Sequence, residues 1–252
     1  QEAITESCDV YFYEIAKRTG IDRIAATARK FGLDAPSGID LPGEQGGLIP
    51  TRDWKRATRD EPWHQGETVI AGIGQGFVLM TPLQMALMTA RLANGGKAVT
   101  PRIVRKVGNE LAQNGPLPDL GFSQSGLALM RKAMDSVSNV PGGTAYRSRI
   151  TEAGMELAGK TGTAQVRRIS RAERESGVLK NEDLEWRQRD HALFIAFAPV
   201  DAPRYAISVV VEHGSSGSGT AAPIARDVMK KVLERHPQRE IAMRRSNEWR
   251  EG

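Results

Sequence analysis

The sequence predicts an α+β fold in which an antiparallel sheet is flanked by helices. Three observations carry that reading. Apolar residues recur at helical spacing in several segments of the first 140 residues. Two apolar runs, 192–198 (ALFIAFA) and 205–211 (YAISVVV), are joined by Pro199-Val200-Asp201-Ala202-Pro203, as in a hairpin. One further helical pattern follows them, over 221–235, and is expected to pack on one face of the sheet.

The elements follow in order. Val10, Tyr13 and Ala16 share a helical face until Thr19-Gly20 interrupts it, and Ser7 or Asp9 is the expected N-cap. Ile21, Ile24, Ala28 and Phe31 predict a second helix closed by Gly32. Residues 35–50 (APSGIDLPGEQGGLIP) are too rich in Gly and Pro for regular structure. Thr81 and Pro82 open a helix over 82–93 with an apolar stripe of Leu83, Ala86, Leu87 and Ala90, and Asn94-Gly95-Gly96 closes it. Leu127, Met130, Met134 and Val137 predict a helix over 125–137, and Ile224, Val228 and Val232 the one over 221–235. Residues 155–166 (MELAGKTGTAQV) read as a strand, and the hairpin after it as buried on both faces. Between them, 13 of the 24 residues from 167 to 190 are charged, so this stretch reads as a solvated, mobile insertion.

Composition narrows the function. Of 252 residues, 40% are hydrophobic and 26% charged, which is globular. The only cysteine, Cys8, excludes an internal disulfide framework. The net charge is +5, and Arg235, Arg239, Arg244, Arg245 and Arg250 gather near the end, so a basic tail is expected over 237–252 after a domain spanning 1–236. Aromatic residues are only 6% of the chain, which argues against nucleic-acid binding. No apolar run reaches the roughly 20 residues of a membrane helix. The chain starts at Gln1 without a signal-peptide pattern, so it is expected to be part of a longer protein with any anchor upstream.

Gly159-Lys160-Thr161-Gly162-Thr163 is the most informative stretch. Lysine and glycine both weaken a buried strand, and glycine often marks close approach by a ligand or another backbone. A cation, two hydroxyls and a bare backbone edge suit a peptide with a free carboxylate. An ordinary edge strand protected by lysine is the plain alternative. Gly154-x-x-x-x-Gly159-Lys160-Thr161 also matches a phosphate loop formally, but Met155-Glu156-Leu157-Ala158 is too bulky and acidic for a phosphate cradle. Gly72-x-Gly74-x-Gly76 lacks dinucleotide spacing and reads as a turn. His64, His191, His213 and His236 are scattered, without metal-ligand spacing.

Ser7-Cys8-Asp9 with Lys160-Thr161-Gly162-Thr163 resembles the motifs of penicillin-binding transpeptidases, most closely the elongation-type class B group typified by penicillin-binding protein 2. The likeness continues through Gly38-Ile39-Asp40-Leu41-Pro42, Pro50-Thr51-Arg52-x-Trp54-Lys55, Pro62-Trp63-x-Gln65-Gly66, Gly72-Ile73-Gly74-Gln75-Gly76, Thr81-Pro82-x-Gln84-Met85 and Gly143-Thr144-Ala145. Asp9 stands where asparagine is commoner and is expected in this subgroup. The family's nucleophile motif, S-x-x-K, is absent, since no serine here has lysine three residues later. The resemblance therefore implies an incomplete penicillin-binding and serine β-lactamase-like fold, with the nucleophile, a membrane anchor and a pedestal domain upstream, and low stability for this stretch alone.

What the resemblance implies for residues is specific. Ser7 relays a proton to the leaving nitrogen. Asp9 pairs with the upstream lysine or a substrate amide. Lys160, with the hydroxyls of Thr161 and Thr163, holds the substrate carboxylate. Gly162 leaves the strand edge open, and the N–H of Thr163 supplies half of an oxyanion hole. The implied reaction cross-links peptidoglycan stem peptides ending in D-Ala-D-Ala at the periplasmic side of the inner membrane, during cell-wall elongation. β-Lactams are the implied inhibitors, a glycosyltransferase and other elongation proteins the implied partners, and no cofactor is needed. Relatives in this subgroup can bind zinc near the Cys8 position with carboxylate and imidazole partners upstream, but one thiol is not a zinc site, so no metal is expected in this chain, and zinc at Cys8 stays an open alternative for the longer protein. A non-catalytic β-lactam sensor of the same fold remains the alternative, as does the choice between water and an amine as acceptor.

Overall fold

The computed structural model describes residues 1–111, 115–167 and 169–236. The expected basic tail, 237–252, lies outside the described residues. The chain opens with a single helical turn, α1 (Glu2–Thr5), then α2 (Asp9–Thr19) and α3 (Ile21–Lys30), which meet at Gly20, φ 80°. The α2 N-cap is Cys8, not Ser7 or Asp9, and no side chain caps it. After the irregular loop come α4 (Arg52–Arg59), α5 (Gln65–Ala71) and α6 (Pro82–Ala93). A small hairpin, β1 (Lys106–Val107) and β2 (Glu110–Leu111), precedes α7 (Gln124–Asn139).

The sheet contains β3 (Ala158–Ala164), β4 (His191–Ala198) and β5 (Tyr205–Val211), antiparallel in the order β3-β4-β5. Lys160 lies opposite Ile195, and Ala192 opposite both Thr163 and Val211. A π turn, Gly217–Ala221, runs into α9 (Ala222–Arg235).

Alternation along β4 divides the core between the two faces of the sheet. Ala192, Phe194, Ala196 and Ala198 pack with Ala222, Ala225, Met229 and Leu233 of α9. Phe197 and Ile195 pack on the other face with Leu92 and Ala93 of α6 and Leu127 and Met134 of α7. The sheet is thus a layer between helices, as an α+β fold requires.

Three stripe assignments shift. On α9, Ile224 and Val228 are exposed, and the small Ala222 and Ala225 face the sheet instead, letting the helix approach closely. On α2, Val10 is exposed while Ala16 is buried, and on α7 Met130 is exposed. On α6, Leu87 is buried as expected, but so are Gln84 and Thr89. Gln84 caps the helix reciprocally with Thr81 and donates from Nε2 to Ala35 O (2.9 Å) and Gly46 O (2.6 Å), which ties down the irregular loop.

Two expectations about the sheet are corrected. β4 is largely buried, but every residue of β5 is only partly buried, because β5 ends the described strand order. The charged connection between β3 and β4 carries a short helix, α8 (Arg171–Ser176), whose Glu173 pairs with Arg167 at 2.5 Å. The phosphate-loop alternative fails because Gly159, Lys160 and Thr161 lie inside a strand.

Candidate active site

Ser7 sits between α1 and α2 with φ 57°, in the left-handed region that non-glycine residues rarely enter. The turn is held by Cys8 N donating to Ala3 O (2.8 Å) and Thr144 N donating to Thr5 O (3.2 Å). The second bond brings the 143–145 loop against it. Gly143 has no alternative there, since a Cβ would collide with the Val137 and Ser136 carbonyls.

Lys160 reaches across 153 residues of sequence to this turn. Its Nζ donates to Ser7 Oγ and to Thr161 O, both at 2.8 Å. Burial pushes its pKa down from 10.5 to about 8, while the negative charge of Asp9 opposes the shift. The lysine is therefore charged at neutral pH but costly to keep so, which favours a bound anion.

The neighbouring strand residues are held as well. Thr161 and Thr144 share a hydrogen bond between their Oγ1 atoms at 2.8 Å. Gly159 lies against the Phe194 ring and the Ile195 carbonyl, with no room for a Cβ. Gly217, at the start of the π turn, lies equally close to the backbone of Gly162. These glycines let β3, β4 and the π turn approach one another where side chains would not fit.

The sheet order leaves one edge of β3 without a described partner strand. That edge borders a cleft of about 700 Å³, lined by Ser7, Asp9, Lys160, Thr161, Gly162 and Thr163 among others. The cleft thus gathers every site residue named from the sequence. It also contains residues given no role there: Thr144, and Gln75 from the Gly72–Gly76 turn, whose Nε2 donates to Thr163 O at 2.8 Å. Ser216 and Ser218, from the turn before α9, also line it.

The turn bearing Gln75 is anchored from below. Gly72 abuts Ala16 of α2 too closely for any side chain. In α4, Lys55 is only 2% exposed, and its ammonium meets Glu67 Oε1 of α5 at 2.6 Å and Glu61 Oε2 at 3.3 Å. The Glu67 hydrogen bond is the main cause that raises the Lys55 pKa.

The histidines are not all scattered. His213 N donates to His191 Nδ1 at 2.9 Å, because the β4–β5 pairing brings them together. Among the described residues no three of His, Cys, Asp and Glu converge as a metal site, and Cys8 is exposed. These residues alone therefore do not fit zinc, which takes about four ligands in a structural site.

Residues 1–230 match the family described as the penicillin binding protein transpeptidase domain. Among curated relatives, peptidoglycan D,D-transpeptidase MrdA of Haemophilus influenzae is 38% identical over 243 residues, covering 94% of this chain and 37% of the relative. MrdA of Acinetobacter baumannii is 40% identical over 232 residues, covering 90% of this chain and 33% of the relative. The chain thus spans about a third of the length of these relatives. Among solved structures, Pseudomonas aeruginosa PBP2 in complex with WCK 5153 aligns with TM-score 0.78 and 39% identity, over 92% of this chain and 48% of that one. Helicobacter pylori PBP2, in a complex with MreC, aligns with TM-score 0.78 and 36% identity, over 93% of this chain and 40% of that one. The chain belongs to the penicillin-binding protein transpeptidase domain family and is homologous to its MrdA and PBP2-type D,D-transpeptidases.

Proposed function

We propose that the protein bearing this chain is a serine-type peptidoglycan D,D-transpeptidase of cell-wall elongation, acting at the periplasmic face of the inner membrane. One observation carries the reading: Lys160 Nζ lies 2.8 Å from Ser7 Oγ, beside the open edge of β3.

In the proposed reaction a D-Ala-D-Ala stem peptide adds along β3 as an extra strand. Its carboxylate meets the ammonium of Lys160 and the hydroxyls of Thr161 and Thr163. Thr144 holds the Thr161 hydroxyl in place. The nucleophilic serine comes from outside these 252 residues, none of whose serines begins an S-x-x-K motif. Its oxygen bonds to the penultimate carbonyl carbon, and the negative oxygen that develops faces the N–H of Thr163. The C–N bond breaks, and D-alanine departs with a proton relayed through Ser7. An amine of a second stem peptide then attacks the ester, restoring the serine and leaving a cross-link. Asp9 sets the field around Lys160 and pairs with the upstream lysine or a substrate amide.

β-Lactams occupy the same cleft as covalent inhibitors. A glycosyltransferase and other elongation proteins are the proposed partners. Support comes from the likeness to the MreC-bound Helicobacter pylori PBP2 and, at 32% identity and TM-score 0.70, to a chain described under polymerization and crosslinking by a peptidoglycan synthase complex.

The test is labelling by a fluorescent penicillin, with D-alanine release measured in parallel. The full-length gene product is expected to be labelled and to release D-alanine from a stem-peptide mimic. The 252-residue chain alone is expected to show no adduct by mass spectrometry. An adduct on that chain, or labelling of the full-length protein without D-alanine release, refutes the reading; the second outcome identifies a sensor.

A further inference from the structure

Two carbonyls of β3 receive side-chain donors. Thr161 O accepts from Lys160 Nζ, and Thr163 O from Gln75 Nε2, each at 2.8 Å. Thr161 and Thr163 are two residues apart, so their backbone groups point the same way, and the N–H and C=O of one residue in an antiparallel strand share a side. Gln75 stands in the cleft beside this edge of β3. Thr163 therefore presents both its N–H and its C=O to the place where a ligand strand would pair.

We infer that Gln75 is a positioning residue that occupies, in the ligand-free site, the acceptor that substrate must take. The inference rests on the transpeptidase reading. A strand residue opposite Thr163 makes two hydrogen bonds at once, its C=O accepting from the Thr163 N–H and its N–H donating to Thr163 O. If the scissile carbonyl sits on the Thr163 N–H, the N–H of that same penultimate residue is aimed at Thr163 O. The Gln75 amide stands there, in the volume the peptide backbone must enter. Binding exchanges one donor for another at a single carbonyl.

The surrounding structure confines the exchange to a side chain. Gln75 N donates to Ile70 O (3.1 Å) and Gly74 N to Ala71 O (3.0 Å). Gly74 and Gly76, at φ 76° and 71°, fix a turn that other residues rarely adopt. Gly72 locks the base of the turn against Ala16. The backbone is held, so release occurs by rotation of the Gln75 side chain. Gln75 thus keeps the edge of β3 satisfied while the cleft is empty and taxes every ligand that pairs with Thr163.

Gln75→Met keeps the length of the side chain and removes the donor. In the full-length gene product this variant is expected to lower the KM for an acyl-D-Ala-D-Ala peptide about fivefold, the worth of one net hydrogen bond, with kcat unchanged. Inhibition by free D-alanine, which places no residue opposite Thr163, is expected to stay the same. In the wild type, the Gln75 side-chain amide resonances are expected to move toward solvent-exposed values when peptide binds. Gln75→Asn, one methylene too short to reach, is read the same way if the methionine variant does not fold. An unchanged or raised KM, a lowered kcat, or amide resonances that do not move on binding overturns the inference while the transpeptidase reading stands. A wild-type protein that releases no D-alanine sinks that reading, and the inference with it.

Discussion

The pH response of Lys160 follows directly from its surroundings. Burial lowers its pKa from 10.5 to about 8, and the charge of Asp9 holds it from falling further. At pH 7 about nine in ten of these lysines carry a proton, and at pH 9 only about one in ten. A peptide carboxylate bound to the ammonium should lose affinity about tenfold per pH unit once the pH is well above 8. The same peptide with a C-terminal amide should show little of this dependence. Stability moves the opposite way. The folded pKa lies below the unfolded one, so the unfolded chain binds more protons between about pH 8 and 10.5, and stability rises with pH across that window. The penalty for the charged, buried lysine is fully present below pH 8 and is on the order of 3 kcal/mol. Asp9→Asn removes the opposing charge, so Lys160 should titrate lower still, and the proposed D-alanine release by the full-length gene product should be reduced but retained at neutral pH. Asp9→Ala, which also removes the polar group, should abolish activity. NMR titration of the lysine Cε resonances, assigned with Lys160→Met, measures the midpoint. A ligand-free midpoint near 10, or one that rises in Asp9→Asn, refutes the argument that burial is the main cause and Asp9 the compensating charge.

Two further outcomes test the packing that shapes the cleft. Gly159→Ala forces a methyl group into the Phe194 ring and should lower stability by about 1–3 kcal/mol in urea denaturation, with an unchanged midpoint counting against the close approach. Thr144→Val frees the Thr161 hydroxyl and should weaken binding of a carboxylate peptide about fivefold, the worth of one hydrogen bond, and unchanged affinity would show that Thr161 needs no such support.

The parts of the fold that were legible in the sequence are those whose signals are local. The α6 boundaries follow from Thr81-Pro82 and Asn94-Gly95-Gly96 alone, and β5 from a run that is apolar but for Ser208, bounded by turns. α4 and α5 escape because polar residues occupy their inward positions: Lys55 and Thr68 are buried, one by an ion pair and the other by a hydrogen bond from Trp63 Nε1. Apolar periodicity counts both as surface. The α9 stripe was misplaced for the converse reason, since alanine facing a sheet buries little area yet permits the closest packing, while Ile224 and Val228 lie exposed. The site divides along the same line. Gly159 to Thr163 stands out because its composition suits neither a buried strand nor a loop. Its contact with Ser7 spans 153 residues and is foreshadowed only by the paired motifs of the family resemblance. For Gln75 the glycines on either side announce a turn, but the bond to Thr163 spans 88 residues of sequence, and the contacts that seat the turn, Lys55 against Glu67 and Gly72 against Ala16, are themselves non-local. A residue whose role is to contest a backbone acceptor leaves no chemical signature in its own neighbourhood. It becomes visible only when the strand it contests is in place.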